Sequence, residues 1–509
     1  MKNPDFRWRV IRDLLACGMF SSLFLLTVVI GNKVAGDDAA ITVSGPETPV
    51  AGQPVEESHQ IEPSVDPELR MVGTNSCAAA SCHGGGRLSE GRSFAAYQIW
   101  ARRDPHSRAG EVLSNDLSTK IMSLLDPGKS GAPGKAIEDV RCLNCHATTE
   151  NHQSLSIVPS SDKFADGVGC ESCHGPARDW LGMHSTLEWK GLSGTTKKSM
   201  GFIDTTADLE ARVQLCVSCH VGSPGKDVNH DLIAAGHPRL DFEFSAFHAN
   251  LPKHWDVHAS RSAETKDIEL DPAFEARAWL IGQLVTAQAA VRLLQDRTRD
   301  EHPWPELSEY ACFSCHHDLK HDSWYHARRK STGQFAWGTW NFGTFPALTA
   351  EVGGVDEFNR LRNLMEGSFP TREAVRQSGS DLDLALEKAI GQISARDFSV
   401  TGLDQLALHL IAHSKVPDDK MPQLPAQSWD QAAQLYLATV AIALAREKMT
   451  VNDPRNIAIQ NDLEAIRKKL VFGDSSNSPQ DHSGSEMDEI LLRLKRIEET
   501  LARSDTTPR

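Results

Sequence analysis

Five times in this chain two closely spaced cysteines are followed at once by a histidine, and no other feature limits the fold so tightly. Four sets share one form: Cys142-Leu-Asn-Cys145-His146, Cys170-Glu-Ser-Cys173-His174, Cys216-Val-Ser-Cys219-His220 and Cys312-Phe-Ser-Cys315-His316. The fifth, Cys77-Ala-Ala-Ala-Ser-Cys82-His83, has four intervening residues instead of two. Two thiols and an imidazole in this order suit covalent c-type haem: the thiols reach two vinyl groups of one porphyrin, and the histidine puts a nitrogen under the iron. The longer spacer bulges and still presents the same three groups. Zinc ribbons and redox-active disulfides also use C-x-x-C pairs, but zinc pairs recur at regular spacing and neither site needs the trailing histidine. With 21 histidines in 509 residues, five chance placements have a probability on the order of 10⁻⁷, against a motif that requires all five. The sequence therefore implies five covalent haems c, held by Cys77, Cys82, Cys142, Cys145, Cys170, Cys173, Cys216, Cys219, Cys312 and Cys315, with His83, His146, His174, His220 and His316 as proximal ligands.

Five irons call for second ligands from elsewhere in the chain. His106 sits in a turn entering a helix, after Asp104-Pro105, and His184 follows the Cys173 set. His230 and His237 flank Asp-Leu-Ile-Ala-Ala-Gly, before Pro238-Arg239-Leu240. All four lie near Gly, Pro or a helix end, where backbone can approach a flat macrocycle. His254, in Leu-Pro-Lys-His-Trp, is the candidate for the fifth iron. His317 cannot share an iron with His316, because adjacent side chains diverge on a helix; another haem or a propionate is open to it. His152 and His321 have no assignment. His409 and His413 are four apart on a helix, but no Glu or Cys companion in the sequence makes them a metal site.

The eleventh cysteine, Cys17, lies in an N-terminal segment that reads as an export signal. Lys2, Arg7, Arg9 and Arg12 precede an apolar run over 14–30, and Val34-Ala35-Gly36 offers small residues for cleavage. The run is close to the length that spans a bilayer, so an uncleaved membrane anchor is the alternative to a cleaved signal peptide over 1–36. Leu14-Leu15-Ala16-Cys17 is no lipoprotein box, since the apolar run follows it.

Length and patterning divide the rest. Residues 37–70 are rich in Pro and acids and read as a flexible linker. Residues 71–346 hold all ten paired cysteines in short pieces broken by Gly and Pro, which implies a haem domain of short helices and long loops, with one clear long helix over 272–297. Residues 347–472 lack cysteine, and helical periodicity over 382–394, 403–413, 429–448 and 457–470 predicts a helical C-terminal domain. Residues 473–509 read as a polar linker and an amphipathic final helix that packs on the body. The fold class is mainly α. A net charge of −15 argues against nucleic acid as a partner, because phosphate binding needs a basic surface.

The Gly169–Pro176 stretch around the Cys170 set, the Asp-Pro-His106 segment and the Ala-Gly-His237-Pro-Arg-Leu segment resemble the cytochrome c-554-like multihaem proteins, which are related to hydroxylamine oxidoreductase and pentahaem nitrite reductase. The resemblance runs over about 72–346. It implies helices wrapped around closely stacked haems, electron hopping between neighbours, and a bacterial periplasmic setting. Two features depart from the enzymes of that group. All five motifs end in His, where nitrite reductases of this kind use Lys at the active haem. None of the four tyrosines is marked out by the sequence as a haem cross-link.

The leading expectation is an electron carrier with mostly bis-His haems and no catalytic residue. The alternative is a multihaem reductase or oxidase of a small nitrogen or sulfur compound at one five-coordinate haem. A third reading makes the C-terminal helices a docking element within a larger complex. The expected partners are other redox proteins or a quinol-linked membrane complex, with possible attachment through the N-terminal segment.

Overall fold

The computed structural model describes residues 71–503 apart from 86–91, 127–133, 149–166, 257–267, 317–334, 416–428 and 471–483. The segment read as an export signal, the expected 37–70 linker, His152, His317 and His321 lie outside the described residues.

Helices dominate, as the periodicity predicts; the described residues pair as β only at two isolated bridges. Among the described residues the first nine α-helices are short: α1 Ala96–Arg103, α2 Asp116–Leu125, α3 Val140–His146, α4 Cys170–His174, α5 Leu187–Gly191, α6 Gly194–Ser199, α7 Leu209–His220, α8 His230–Ala235 and α9 Phe244–Asn250. Many are started by a side-chain cap. Asn115, Asp139, Thr186, Ser193, Asp208, Asn229 and Glu243 each accept a backbone N–H of the first turn, which satisfies donors that a helix start leaves without partners. Longer helices follow: α10 Phe274–Arg297, α11 Phe345–Val352, α12 Val355–Met365, α13 Arg372–Gln392, α14 Val400–Lys415, α15 Trp429–Met449, α16 Pro454–Leu470 and α17 Gly484–Ala502.

α10 is the central column. Its sequence shows one apolar stripe, yet it is buried nearly all round, from Phe274 through Trp279, Leu284 and Val291 to Arg297. A helix can be buried on every face only if its polar residues are matched. Gln283 does this by donating to Gln434 Oε1 at 3.1 Å and accepting from Thr344 Oγ1 at 2.9 Å. Gly282 is needed for close approach, since a Cβ there would lie 2.9 Å from Phe244 Cβ. α10 packs against α7, α9, α13 and α15. The main apolar cluster of the described residues accordingly has members from Leu209 through Leu501.

Packing across position 346 is extensive. Tyr310 Oη donates to the Met365 carbonyl at 3.1 Å, Trp304 Nε1 donates to that of Pro370 at 2.6 Å, and Trp340 stacks on Trp429 with ring centroids 6.0 Å apart. α13 starts ten residues before the apolar signal at Leu382, because its first turns bury only a narrow stripe of Val375, Ser378 and Gly379. α17 lays Met487, Ile490, Leu494, Ile497 and Leu501 onto the body against α14 and α16, as a short amphipathic helix should.

Candidate haem-binding site

The five Cys/Cys/His sets sit on short helices or turns whose remaining residues join one set to the next. In α4, Glu171 is 4% exposed and its carboxylate accepts from the backbone of Val72 (3.0 Å), Gly73 (2.8 Å) and Ala177 (2.8 Å). It thereby fixes the chain just before Cys77. Ser172 donates to Thr148 Oγ1 at 2.9 Å, beyond the His146 set. In α3, Asn144 Nδ2 donates to the Gly225 carbonyl at 2.7 Å, beyond the His220 set. The residues between the cysteines therefore hold neighbouring attachment sites together.

The cysteines converge in the same pattern, and none of those described is in a disulfide. The Cys77 thiol meets that of Cys170, and the Cys145 thiol meets that of Cys219. Cys173 and Cys216 lie near enough to feel each other's charge. Arg239 Nη1 comes to 4.0 Å from Cys312 Sγ. Its guanidinium is held by Asp241 at 3.2 Å and by Asp430 of α15 at 3.1 Å.

The histidines face one another in pairs. Ring centroids are 6.2 Å apart for His83 and His184, 6.5 Å for His146 and His237, 6.1 Å for His174 and His254, and 6.0 Å for His220 and His106. Two metal–imidazole bonds of about 2 Å, with about 1.2 Å from each nitrogen to its ring centre, require a separation of roughly 6.4 Å. Each pair joins one expected proximal ligand to one expected distal ligand, and no histidine is used twice. This spacing is the fit of the chain to an iron between two imidazoles.

Hydrogen bonds select the nitrogen that remains free. Nδ1 faces the Ser93 carbonyl in His83 (2.7 Å), that of Ala109 in His146 (2.9 Å), that of Leu181 in His184 (2.6 Å) and that of Pro238 in His237 (2.8 Å). An N–H at Nδ1 leaves the Nε2 lone pair for a metal, the usual second-sphere arrangement of a ligating histidine. His254 Nδ1 is buried and faces the Pro252 carbonyl without reaching hydrogen-bond geometry. Phe242 stacks on His220 at 4.9 Å, and Trp180 meets His184 edge-on at 5.5 Å.

Burial keeps most of these rings neutral, the form that binds metal. It lowers His174 and His220 to about 4 and also lowers His146, His237 and His254. His106 moves the other way: burial opposes its charge, but the Asp104 carboxylate outweighs burial and raises it. Asp104 Oδ1 accepts from His106 Nδ1 at 2.8 Å and from its backbone N–H at 3.0 Å. The sequence reading gave Asp104 no role, although Asp-Pro-His is a cap signature that could have revealed it.

His230 and His316 form no such ring pair among the described contacts, but their segments are joined. Glu306, shortly before Cys312, accepts the His230 backbone N–H at 2.8 Å. Arg297 bridges Asp227 (2.5 Å) and Glu309 (2.6 Å) alongside. His409 and His413 hydrogen-bond to the Ala347 and His409 carbonyls at 3.0 Å each. Glu351 on α11 supplies the acidic neighbour that the sequence did not reveal, at 3.3 Å from His409, but the described residues contain no cluster of three metal-ligating side chains. His248, which the sequence reading did not single out, is buried against Arg212 rather than opposite another proximal histidine.

Known proteins resemble part of this region in sequence. Residues 76–175 match the family model of cytochrome c554 and c-prime, a span holding the His83, His146 and His174 sets and His106. Cytochrome c-554 of Nitrosomonas europaea is 30% identical over 135 residues, which is 25% of this chain and 54% of that protein. The chain thus spans about half the length of the curated relative it matches. No solved structure matches the chain.

Proposed function

We propose that this cytochrome c554-like multihaem c-type cytochrome is an exported five-haem electron carrier whose irons are all held between two histidines. The observation that carries the reading is the set of four imidazole pairs at 6.0–6.5 Å. The pairs support His184 for the iron under His83, His237 for that under His146, His254 for that under His174 and His106 for that under His220. His230 goes to the iron under His316, because Glu306 and Arg297 tie its segment to that attachment site.

Bound haem would supply the one-electron chemistry; the protein's part is to hold the ligands, exclude water and set the order of sites. The cysteine contacts support the order His83, His174, His220, His146, and Arg239, two residues after His237, leads on to the His316 set through Cys312. Cys82 lies exposed at one end of this series and Cys315 at the other, and Cys173 is exposed within it. Two strong ligands on each iron leave no position for a substrate, which favours carrier over reductase. Export rests on the N-terminal segment and on the extracytoplasmic attachment of haem c. Among the described residues, no helix is long and apolar enough to cross a membrane.

An intact-mass measurement on the holoprotein tests the stoichiometry. Five covalent haems are expected, and four would remove the Cys77 set first, since its spacer is the unusual one.

A further inference from the structure

Between α9 and α10 lies a buried polar knot. At its centre is Glu269, whose side chain is 2% exposed. It accepts from Arg212 Nη1 at 2.8 Å, from Lys253 Nζ at 2.5 Å and from Trp255 Nε1 at 3.0 Å. His248 Nε2 lies 2.8 Å from the same Arg212 nitrogen, and burial holds that imidazole at about 3, so it stays neutral. Burial opposes the Glu269 charge, but Lys253 and its other neighbours outweigh this and keep the carboxylate ionised. Leaving such a charge buried is costly without full pairing, so the knot forms only when all its arms are in place.

The arms reach two attachment sites. Lys253 and Trp255 are the residues on either side of His254, and the Trp255 ring meets the His254 ring edge-on at 5.2 Å. Arg212 stands on α7, the helix that ends in Cys216, Cys219 and His220. Its guanidinium also lies over the Trp255 ring, 5.5 Å from the centroid. α9 and α7 both pack on α10, so the knot refers the His254 loop to a rigid frame. A short loop of Leu251-Pro252-Lys253 has no regular structure of its own to do this.

We propose that Glu269 is a positioning residue that fixes the His254 imidazole opposite His174 by holding Lys253 and Trp255, and that it couples this ligand to the neighbouring His220 site through Arg212. The proposal rests on the assignment of His254 to the iron under His174. Its removal loosens one distal ligand out of five, because each other pair is held by separate contacts. A general loss of stability would not select one haem.

The test compares Glu269→Gln with His254→Ala by carbon monoxide titration and resting-state EPR of purified holoprotein. His254→Ala is expected to bind one equivalent of carbon monoxide per chain. Glu269→Gln is expected to bind it at the same haem, identified by the same spectral shift, with all covalent haem retained and with added imidazole restoring the low-spin signal. If His254→Ala opens one iron and Glu269→Gln remains inert, the positioning role is overturned and the ligand assignment stands. If His254→Ala itself stays fully low-spin, the assignment falls and takes the proposal with it. Should Glu269→Gln fail to fold, Trp255→Phe is read instead, since it removes the indole N–H bond to Glu269 while keeping an aromatic ring beside His254. Faster carbon monoxide binding at that haem supports the role, and a rate unchanged from wild type overturns it.

Discussion

Replacing His237 with alanine is expected to convert one low-spin iron to high-spin and to let it bind one equivalent of carbon monoxide per chain. His237 reaches its place because α8 ends at Gly236, whose φ of 118° turns the chain back. Few residues with a side chain adopt that angle. The His237 backbone N–H then bonds the Leu232 carbonyl at 2.9 Å, and the ring lies 6.5 Å from that of His146. The alanine variant retains Cys142, Cys145 and His146, so its haem count is expected to equal that of the wild type. A variant that stays inert to carbon monoxide would show that some other residue closes this iron.

A second large effect is expected far from any attachment site. Arg446 on α15 is 1% exposed. Its guanidinium bonds Asp404 of α14 at 2.7 Å, Asp453 at 2.6 Å and the Asn456 side chain of α16. It is thus the joint of three helices. Arg446→Met leaves the Asp404 carboxylate without this partner, while Asp453 keeps Arg455 at 2.8 Å, and breaking such a buried pair costs about 3–5 kcal/mol. Urea unfolding followed by far-ultraviolet circular dichroism should show a loss of that size, with the number of covalent haems unchanged. A loss below about 1 kcal/mol, the scale of an exposed pair, would mean that water relieves the charges.

The attachment residues were legible in the sequence because their chemistry requires contiguous spacing: two thiols and an imidazole must meet one porphyrin. The distal set was legible less directly. Each of His106, His184, His237 and His254 could be picked for its turn or helix end, but which proximal histidine it faces is a long-range property. His106 is nearest in sequence to the His83 and His146 sets, yet it stands opposite His220. Glu269 carried no signal at all, since its partners lie at Arg212, Lys253 and Trp255 and its meaning exists only after folding. Helices α14 to α17 were visible from periodicity. α11, α12 and the first half of α13 were not, because short or narrow buried stripes do not stand out from polar neighbours.

The acidic neighbours of Cys312 bear on the C-terminal helices. Asp430 opens α15 and reaches both Arg239 and Thr339, the latter at 2.5 Å. The helices thus contribute a charge beside the His316 site while holding no cysteine of their own. That placement fits helices that shape one end of an electron path better than a separate docking module.

The central claim is that every iron is closed by two histidines. Resting-state EPR of the wild-type holoprotein, with high-spin haem quantified against total covalent haem, tests it most directly. The expected result is low-spin signals for all haems and no stoichiometric high-spin component. One high-spin iron per chain would contradict the claim, open a substrate position, and favour the reductase reading over the carrier.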